Sequence, residues 1–343
     1  MATSFSQVPI VDVGALKASH LNPDDTRALS QQLYNVFATT GFAYLINAPL
    51  NFTHGELFDL SQDLFSLPAS EKMKLAKQTF CPTNYNTYRG YFPTQPRFAL
   101  DNLKEGFEIG NPRLQTPPPQ QIDKSHARVD LGEPNVWPSA NIFTKRTRLE
   151  EMYTELQSLS AKLLTLLAIS LGKDAWFFDS WLVDSLSTLR LLHYPPSGSS
   201  SSSPPNSTES PTGPKLSCTP HTDSGILTLL HQDATGGLEV LNASDVWISA
   251  PYIPGSLVVN IGDLMAKLSG GRLLATMHRV KASSERGRYS VPFFFEPGEG
   301  CVVRGVDDDG MGDGVVYGEH IRGKMRTWVE YMGGEGSEFD GGM

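Results

Sequence analysis

From residue 189 to residue 304 the chain is a succession of short apolar or alternating runs, each cut off by Gly, Pro or Asp. Leu189–Tyr194, Gly225–Leu230, Leu238–Leu241, Val246–Ser249, Leu257–Ile261, His278–Val280, Tyr289–Phe295 and Cys301–Arg304 each read as a strand. No repeated βα rhythm separates them, which disfavours a Rossmann or barrel architecture of alternating strands and helices. Many short strands with turn residues between them favour a sandwich or jelly roll. The first half supplies helices to flank it. Pro23–Thr39 carries Leu29, Leu33 and Phe37 on one stripe, Leu57–Ser66 and residues 71–78 read as shorter helices, and Val8–Val11 and Gly41–Ile46 as strands. Phe143–Leu171 is the strongest helical segment; Leu149, Met152, Tyr153, Leu156, Leu159, Leu163, Leu166 and Leu167 recur on it as on a deeply buried helix. The expected fold class is mainly β with flanking helices.

This pattern divides the chain into a mixed N-terminal region over 1–140, packed on a jelly-roll core over 141–333, and a flexible tail over 334–343. Residues 195–214 are almost entirely Ser, Pro, Gly, Asn and Thr and are expected to form a mobile insertion between two core strands. Residues 319–332 are expected to form a closing helix. With 28 Lys and Arg against 37 Asp and Glu, the formal charge is −9, and there is no basic stripe. That balance disfavours nucleic acid and anionic membrane surfaces as partners. The three cysteines, Cys81, Cys218 and Cys301, suggest neither a disulfide framework nor a zinc site. The first residues lack the form of a signal peptide, so a cytoplasmic protein is expected; with no basic recognition surface a small-molecule substrate is expected, and a monomer.

The chemistry concentrates in three places: Thr219-Pro220-His221-Thr222-Asp223, Met277-His278-Arg279 and Arg288-Tyr289-Ser290. On a strand, His221 and Asp223 point to the same side, and His278 can arrive from another strand. Two imidazoles and a carboxylate can hold one face of Fe(II) and leave the other open, although zinc accepts the same donors. Arg288 and Ser290, two apart on a strand, can grip a carboxylate. Taken singly, a His-x-Asp pair is common, His278 reads as a core histidine and Arg288 as a surface ion pair. Their order along consecutive strands is what joins them.

On these residues the chain resembles the 2-oxoglutarate-dependent, non-haem iron dioxygenases of the isopenicillin-synthase-like branch. Further matching pieces are Val8-Pro9-Ile10-Val11-Asp12, Lys104-Glu105-Gly106-Phe107-Glu108-Ile109-Gly110, Gly236-Gly237-Leu238 and Asn260-Ile261-Gly262-Asp263. The resemblance implies a distorted double-stranded β-helix that holds iron through His221, Asp223 and His278. It also implies O2 and 2-oxoglutarate as cosubstrates, the latter gripped by Arg288 and Ser290. Leu189-Arg190-Leu191-Leu192-His193-Tyr194-Pro195 is similar to fungal thymine-hydroxylase-like members. That likeness implies that Tyr194 contacts 2-oxoglutarate and Arg190 faces the prime substrate. Ser224 departs from it, because the thymine enzymes carry an aromatic residue there. The expected activity is hydroxylation, desaturation or ring closure of a small metabolite of secondary metabolism, with release of succinate and CO2. The alternatives are an iron oxidase of the same fold that does not use 2-oxoglutarate, a thymine hydroxylase and a non-catalytic metal-binding scaffold. Tyr85, Tyr88, Arg89, Tyr91 and Phe294 are further candidates for the pocket rim, Phe294 because it shares a strand face with Ser290. Inside an apolar strand Arg190 needs a partner, with Asp223 and Glu239 as candidates besides a substrate group.

Overall fold

Alternation at period two decides which side of each strand faces the helices. The computed structural model describes residues 3–18, 20–95, 103–114, 129–196, 215–283, 286–308, 314–325 and 328. The Ser/Pro-rich segment at 197–214, the tail at 334–343 and the later part of the expected closing helix lie outside the described residues. Among the described residues the first half contains β1 (Ile10–Asp12), α1 (Pro23–Thr39), β2 (Phe42–Ile46), α2 (His54–Phe65), α3 (Ala69–Met73), β3 (Gly90–Phe92), β4 (Glu105–Ile109) and α4 (Arg146–Ser170). Next come β5 (Thr188–Tyr194), β6 (Leu216–His221), β7 (Leu227–Gln232), β8 (Leu238–Leu241), β9 (Trp247–Ser249) and β10 (Leu257–Ile261). The chain continues through α5 (Asp263–Leu268), β11 (His278–Lys281), β12 (Arg288–Phe295), β13 (Val302–Val303), β14 (Val315–Val316) and α6 (Tyr317–Met325).

Two sheets make the body, a jelly roll as expected. The major sheet runs β1-β2-β10-β7-β12-β5-β4-β3 and the minor sheet β6-β11-β8-β9, with β13 and β14 as a separate hairpin. On β12, Val291, Phe293 and Phe295 face the helical side and join the main core, while Arg288, Ser290, Pro292 and Phe294 face the space between the sheets. β5 repeats this, with Leu189 and Leu191 in the core and Arg190, Leu192 and Tyr194 on the inner face. α4 covers the outer face, and its expected stripe is buried in full. The Tyr153 ring meets Phe293 edge-on at 5.1 Å, and its hydroxyl donates to the Ser187 carbonyl at 2.8 Å. Each such buried leucine contributes roughly 1.5–3 kcal/mol of transfer free energy. Asn22 caps α1, its side chain accepting from the Asp25 N–H at 2.8 Å, and Pro23 occupies the first turn.

One local expectation is corrected. The helix expected over 71–78 spans only Ala69–Met73, because the Lys77 N–H donates to the Tyr91 carbonyl and the Tyr91 N–H to the Leu75 carbonyl, both at 2.9 Å. This pairing draws the polar aromatic loop into strand β3, which no alternation in its sequence announced. β1 to β4 from the N-terminal stretch pair directly into the major sheet.

On β7, Thr228 and Leu230 face inward and His231 faces out, under α2. Its ring lies 4.7 Å from His54 and 5.5 Å from Phe52, and among the described residues neither ring nitrogen has a hydrogen-bond partner. Burial, with the His54 charge adding to it, holds the His231 imidazole well below its ordinary value. The unfolded chain therefore binds a proton near pH 6.5 that the folded chain refuses. Stability from this group is complete above that pH and falls below it by up to about 1.4 kcal/mol per pH unit, until the folded value is reached. His231→Leu should lose less stability than the wild type between pH 8 and pH 5.5. Urea midpoints at several pH values would check this, and parallel acid losses in the two proteins would refute it.

Candidate metal centre and cleft

Strands β6 and β11 pair antiparallel with His278 directly across from His221, and the two imidazole centroids lie 4.2 Å apart. Asp223 is not on the strand with His221 as expected. β6 ends at His221, and Asp223 sits in the turn beyond it, where its carbonyl accepts from the Asp263 N–H at 2.7 Å. That turn packs tightly. A Cβ at Gly262 would lie 2.2 Å from the Gly225 carbonyl oxygen, so only glycine lets the end of β10 approach so closely.

From these three positions the Nε2 atoms of His221 and His278 converge on one oxygen of Asp223, at 3.8 Å and 3.7 Å from Oδ1. One atom from each residue lies within 4.8 Å of the other two. Each imidazole is oriented from behind, by Nδ1 contacts with the Thr219 carbonyl at 2.8 Å and the Thr276 carbonyl at 3.2 Å. With Nδ1 donating, Nε2 is left as the free ligand atom. The other carboxylate oxygen, Oδ2, accepts from Thr228 Oγ1 at 2.6 Å and Asn260 Nδ2 at 2.8 Å. Burial works against ionisation of Asp223, but the two histidines and these hydrogen bonds outweigh it and hold the carboxyl below its usual value. Burial also lowers His278 to about 4, toward the neutral form a metal requires. At His221 burial acts in the same direction but Cys218 and Asp223 overcome it, raising the imidazole to about 9, so that a proton and a cation compete there. A nitrogen, nitrogen, oxygen donor set with its outer atoms already engaged fits Fe(II).

The cleft beside this centre encloses about 570 Å³, part of it open to solvent. Arg288 is buried at its far side, donating from Nε to the Gly236 carbonyl at 2.8 Å and from Nη1 to Ser290 Oγ at 3.0 Å. The Tyr194 ring lies 4.8 Å from the guanidinium carbon. Arg190 and Phe294 line the same cleft, and the Arg190 guanidinium carbon lies 5.2 Å from the Phe294 ring. The partner of Arg190 is neither Asp223 nor Glu239. It is Glu108, opposite it on β4, while Glu239 is engaged by Arg279 and Lys281.

The structure does not bring the candidates of the aromatic loop to the cleft. Tyr91 is buried and donates its hydroxyl to Glu105 at 2.6 Å; Glu105 also holds Lys72 and His193. Arg89 is buried against Thr188 and the Leu186 carbonyl, with the Tyr88 ring 4.4 Å away, and Tyr85 is exposed. Lys104 and Cys218, which no motif marks, also line the cleft, with Nζ and Sγ 3.8 Å apart. Thr228 and Asn260 carry no local signal beyond the single amide inside the apolar run Leu257–Ile261.

The chain matches the 2OG-Fe(II) oxygenase superfamily profile over residues 186–297, and the profile of the non-haem dioxygenase in morphine synthesis N-terminal region over residues 8–140. It is 30% identical to a homoarginine-6-hydroxylase of Arabidopsis thaliana, over 95% of this chain and 99% of that protein. It is 33% identical to a 2-oxoglutarate-Fe(II) type oxidoreductase of Aspergillus fumigatus, over 69% of this chain and 67% of that protein. The crystal structure of full-length Neurospora crassa thymine-7-hydroxylase with α-ketoglutarate and thymine superposes with a TM-score of 0.74 at 25% identity, covering 94% of this chain and 98% of that one. The chain belongs to the 2OG-Fe(II) oxygenase superfamily. It is an enzyme that uses Fe(II) and 2-oxoglutarate. Among the described residues no helix is long and apolar enough to cross a membrane.

If these three residues hold the metal, removing the donors that orient Asp223 loosens it without touching a candidate ligand. Asn260→Leu and Thr228→Val are each expected to weaken Fe(II) retention about 10–100-fold, the usual effect of losing an outer partner. Anaerobic Fe(II) titration of the purified variants measures it. Wild-type affinity in both would show that Oδ1 stays in place unaided.

Proposed function

We propose that this oxygenase acts on a compact, partly aromatic or heterocyclic small molecule that carries an oxygen acceptor or an anionic group. On this reading His221, Asp223 and His278 hold Fe(II), Arg288 and Ser290 hold the distal carboxylate of 2-oxoglutarate with Tyr194 beside it, and Arg190 and Phe294 meet the prime substrate. When bound, iron and cosubstrate together supply the activation of O2 that oxidises a substrate C–H bond, with release of succinate and CO2. The protein's own share is placement. Arg288 presents a planar fork of donors in a buried position, and its neighbour Ser290 adds a hydroxyl.

The observation that carries the substrate reading is the make-up of the cleft wall. Among the described residues it contributes three cations, Lys104, Arg190 and Arg288, and one carboxylate, Asp223, which belongs to the metal centre. A guanidinium-bearing substrate such as the one named for the Arabidopsis relative would meet like charge there. A flat ring with an oxygen acceptor meets Phe294 and Arg190 instead. The thymine-bound Neurospora structure favours a second reading, a pyrimidine substrate. Against thymine itself stands Ser224, where the thymine enzymes have an aromatic residue.

Exposing the anaerobic Fe(II) and 2-oxoglutarate protein to O2 with a metabolite library, while following succinate and product mass together, tests the reading. Succinate matched by product only for cationic amino acids would overturn it, and efficient thymine hydroxylation would establish the second reading.

Arg288→Ala should raise the 2-oxoglutarate requirement about 10–100-fold, because a hydrogen bond to a charged group contributes about 1.5–3 kcal/mol. Ser290→Ala should cost less than Arg288→Ala, because it removes one neutral donor and leaves the counter-charge in place. A cosubstrate titration of both variants checks the order, and unchanged affinity in Arg288→Ala would rule out this placement.

A further inference from the structure

Arg190 is held from both sides of its strand. In the major sheet β5 lies between β12 and β4, with β3 beyond β4. Phe294 from β12 lies 5.2 Å from the guanidinium carbon and Phe92 from β3 lies 5.6 Å from it. Glu108 on β4 is registered opposite Arg190, and its carboxylate pairs with the guanidinium. Glu108 is itself fully buried, and behind it the equally buried Lys77 places Nζ 2.6 Å from Oε2. Burial opposes the charge on Glu108, and Arg190 and Lys77 outweigh it, keeping the carboxyl well below its usual range. One carboxylate is thus shared by a cation that lines the cleft and a cation that does not.

An unsupported arginine samples many rotamers, and ordering it on binding costs affinity. Here the ordering is done in advance by a carboxylate and two rings. We propose that Glu108, clamped by Lys77, is the positioning residue that fixes Arg190 and so adapts this end of the cleft to a planar carboxylate or similar oxyanion on a ring. This rests on the reading above that Arg190 meets the prime substrate. Glu108 acts through Arg190 and touches no reactant.

Three probes that share one ring separate the charges: benzoate, benzamide and benzamidine, titrated calorimetrically into the anaerobic Fe(II) and 2-oxoglutarate protein. Wild type should bind them in that order. Arg190→Ala should lose benzoate selectively. Glu108→Gln should weaken benzoate about tenfold, as loss of a preorganised charge-assisted contact does. A merely structural defect would disturb both ligands, so 2-oxoglutarate affinity should move less than about twofold. Adding Glu108→Gln to Arg190→Ala should change benzoate affinity no further, because the effect passes through Arg190. Should Glu108→Gln not fold with Lys77 left without its counter-ion, Lys77→Met combined with Glu108→Gln removes both charges and carries the same expectation. Benzamidine binding as tightly as benzoate, or no benzoate binding in the wild type, overturns the anion preference. Benzoate binding unchanged by Arg190→Ala overturns the underlying reading of Arg190, and this proposal with it. Benzoate lost in Arg190→Ala but kept in both Glu108 variants overturns the positioning role alone.

Discussion

The register that sets His278 across from His221 is the constraint on which the candidate metal centre depends. In an antiparallel pair, directly opposed side chains share one face of the sheet at close range, so two imidazoles from residues far apart in sequence meet without help from a loop. A slip of one residue would turn one of them away from the cleft. The third donor follows different physics. Asp223 lies past the strand end, and its placement comes from a main-chain bond to Asp263 and from two side chains, Thr228 and Asn260, that reach over from the major sheet. The carboxylate thereby ties the two sheets together at the point where the donors converge.

Period-two alternation carries the rest of the cleft. Arg288, Ser290, Pro292 and Phe294 present one face of β12, and Arg190, Leu192 and Tyr194 one face of its neighbour β5. The intervening residues of the same strands enter the core beneath α4. Each strand is thus anchored by one half of its side chains and lines the cleft with the other. A large apolar face under the 25-residue helix α4 is therefore also what keeps the polar inner face in register.

Much of this was legible. The strand runs of the second half, the long buried helix and the order of His221, Asp223, His278, Arg288 and Ser290 stand in the sequence as periodicity and spacing, and Phe294 follows from Ser290 by the same alternation. What escaped is decided at long range. Nothing local to Leu189–Tyr194 says which carboxylate answers Arg190; Asp223 and Glu239 were as available as Glu108, and only the pairing of β4 with β5 selects. Residues 84–91 fit a binding loop and a structural one equally well from composition. The chain folds them back along Leu75–Lys77, and the phenol of Tyr91 and the guanidinium of Arg89 are used up inside. A spacing of two from His221 suggests a strand for Asp223, whereas the strand ends two residues earlier.

A division of labour between the halves of the chain follows from the topology. The three candidate metal donors, the groups that orient them and the pair Arg288 and Ser290 all come from residues beyond 215. The surroundings of Arg190 come in large part from the first half, through Phe92, Glu108 and Lys77. A substitution in β3, β4 or the turn at Lys77 can therefore alter what Arg190 presents to the cleft while the metal donors keep their positions, because no strand that bears a donor is neighbour to β3 or β4. On the proposed reading of Arg190, substitutions upstream of residue 110 are thus a route to altered substrate preference besides changes to the cleft wall itself, because β3 and β4 carry neither His221 nor His278.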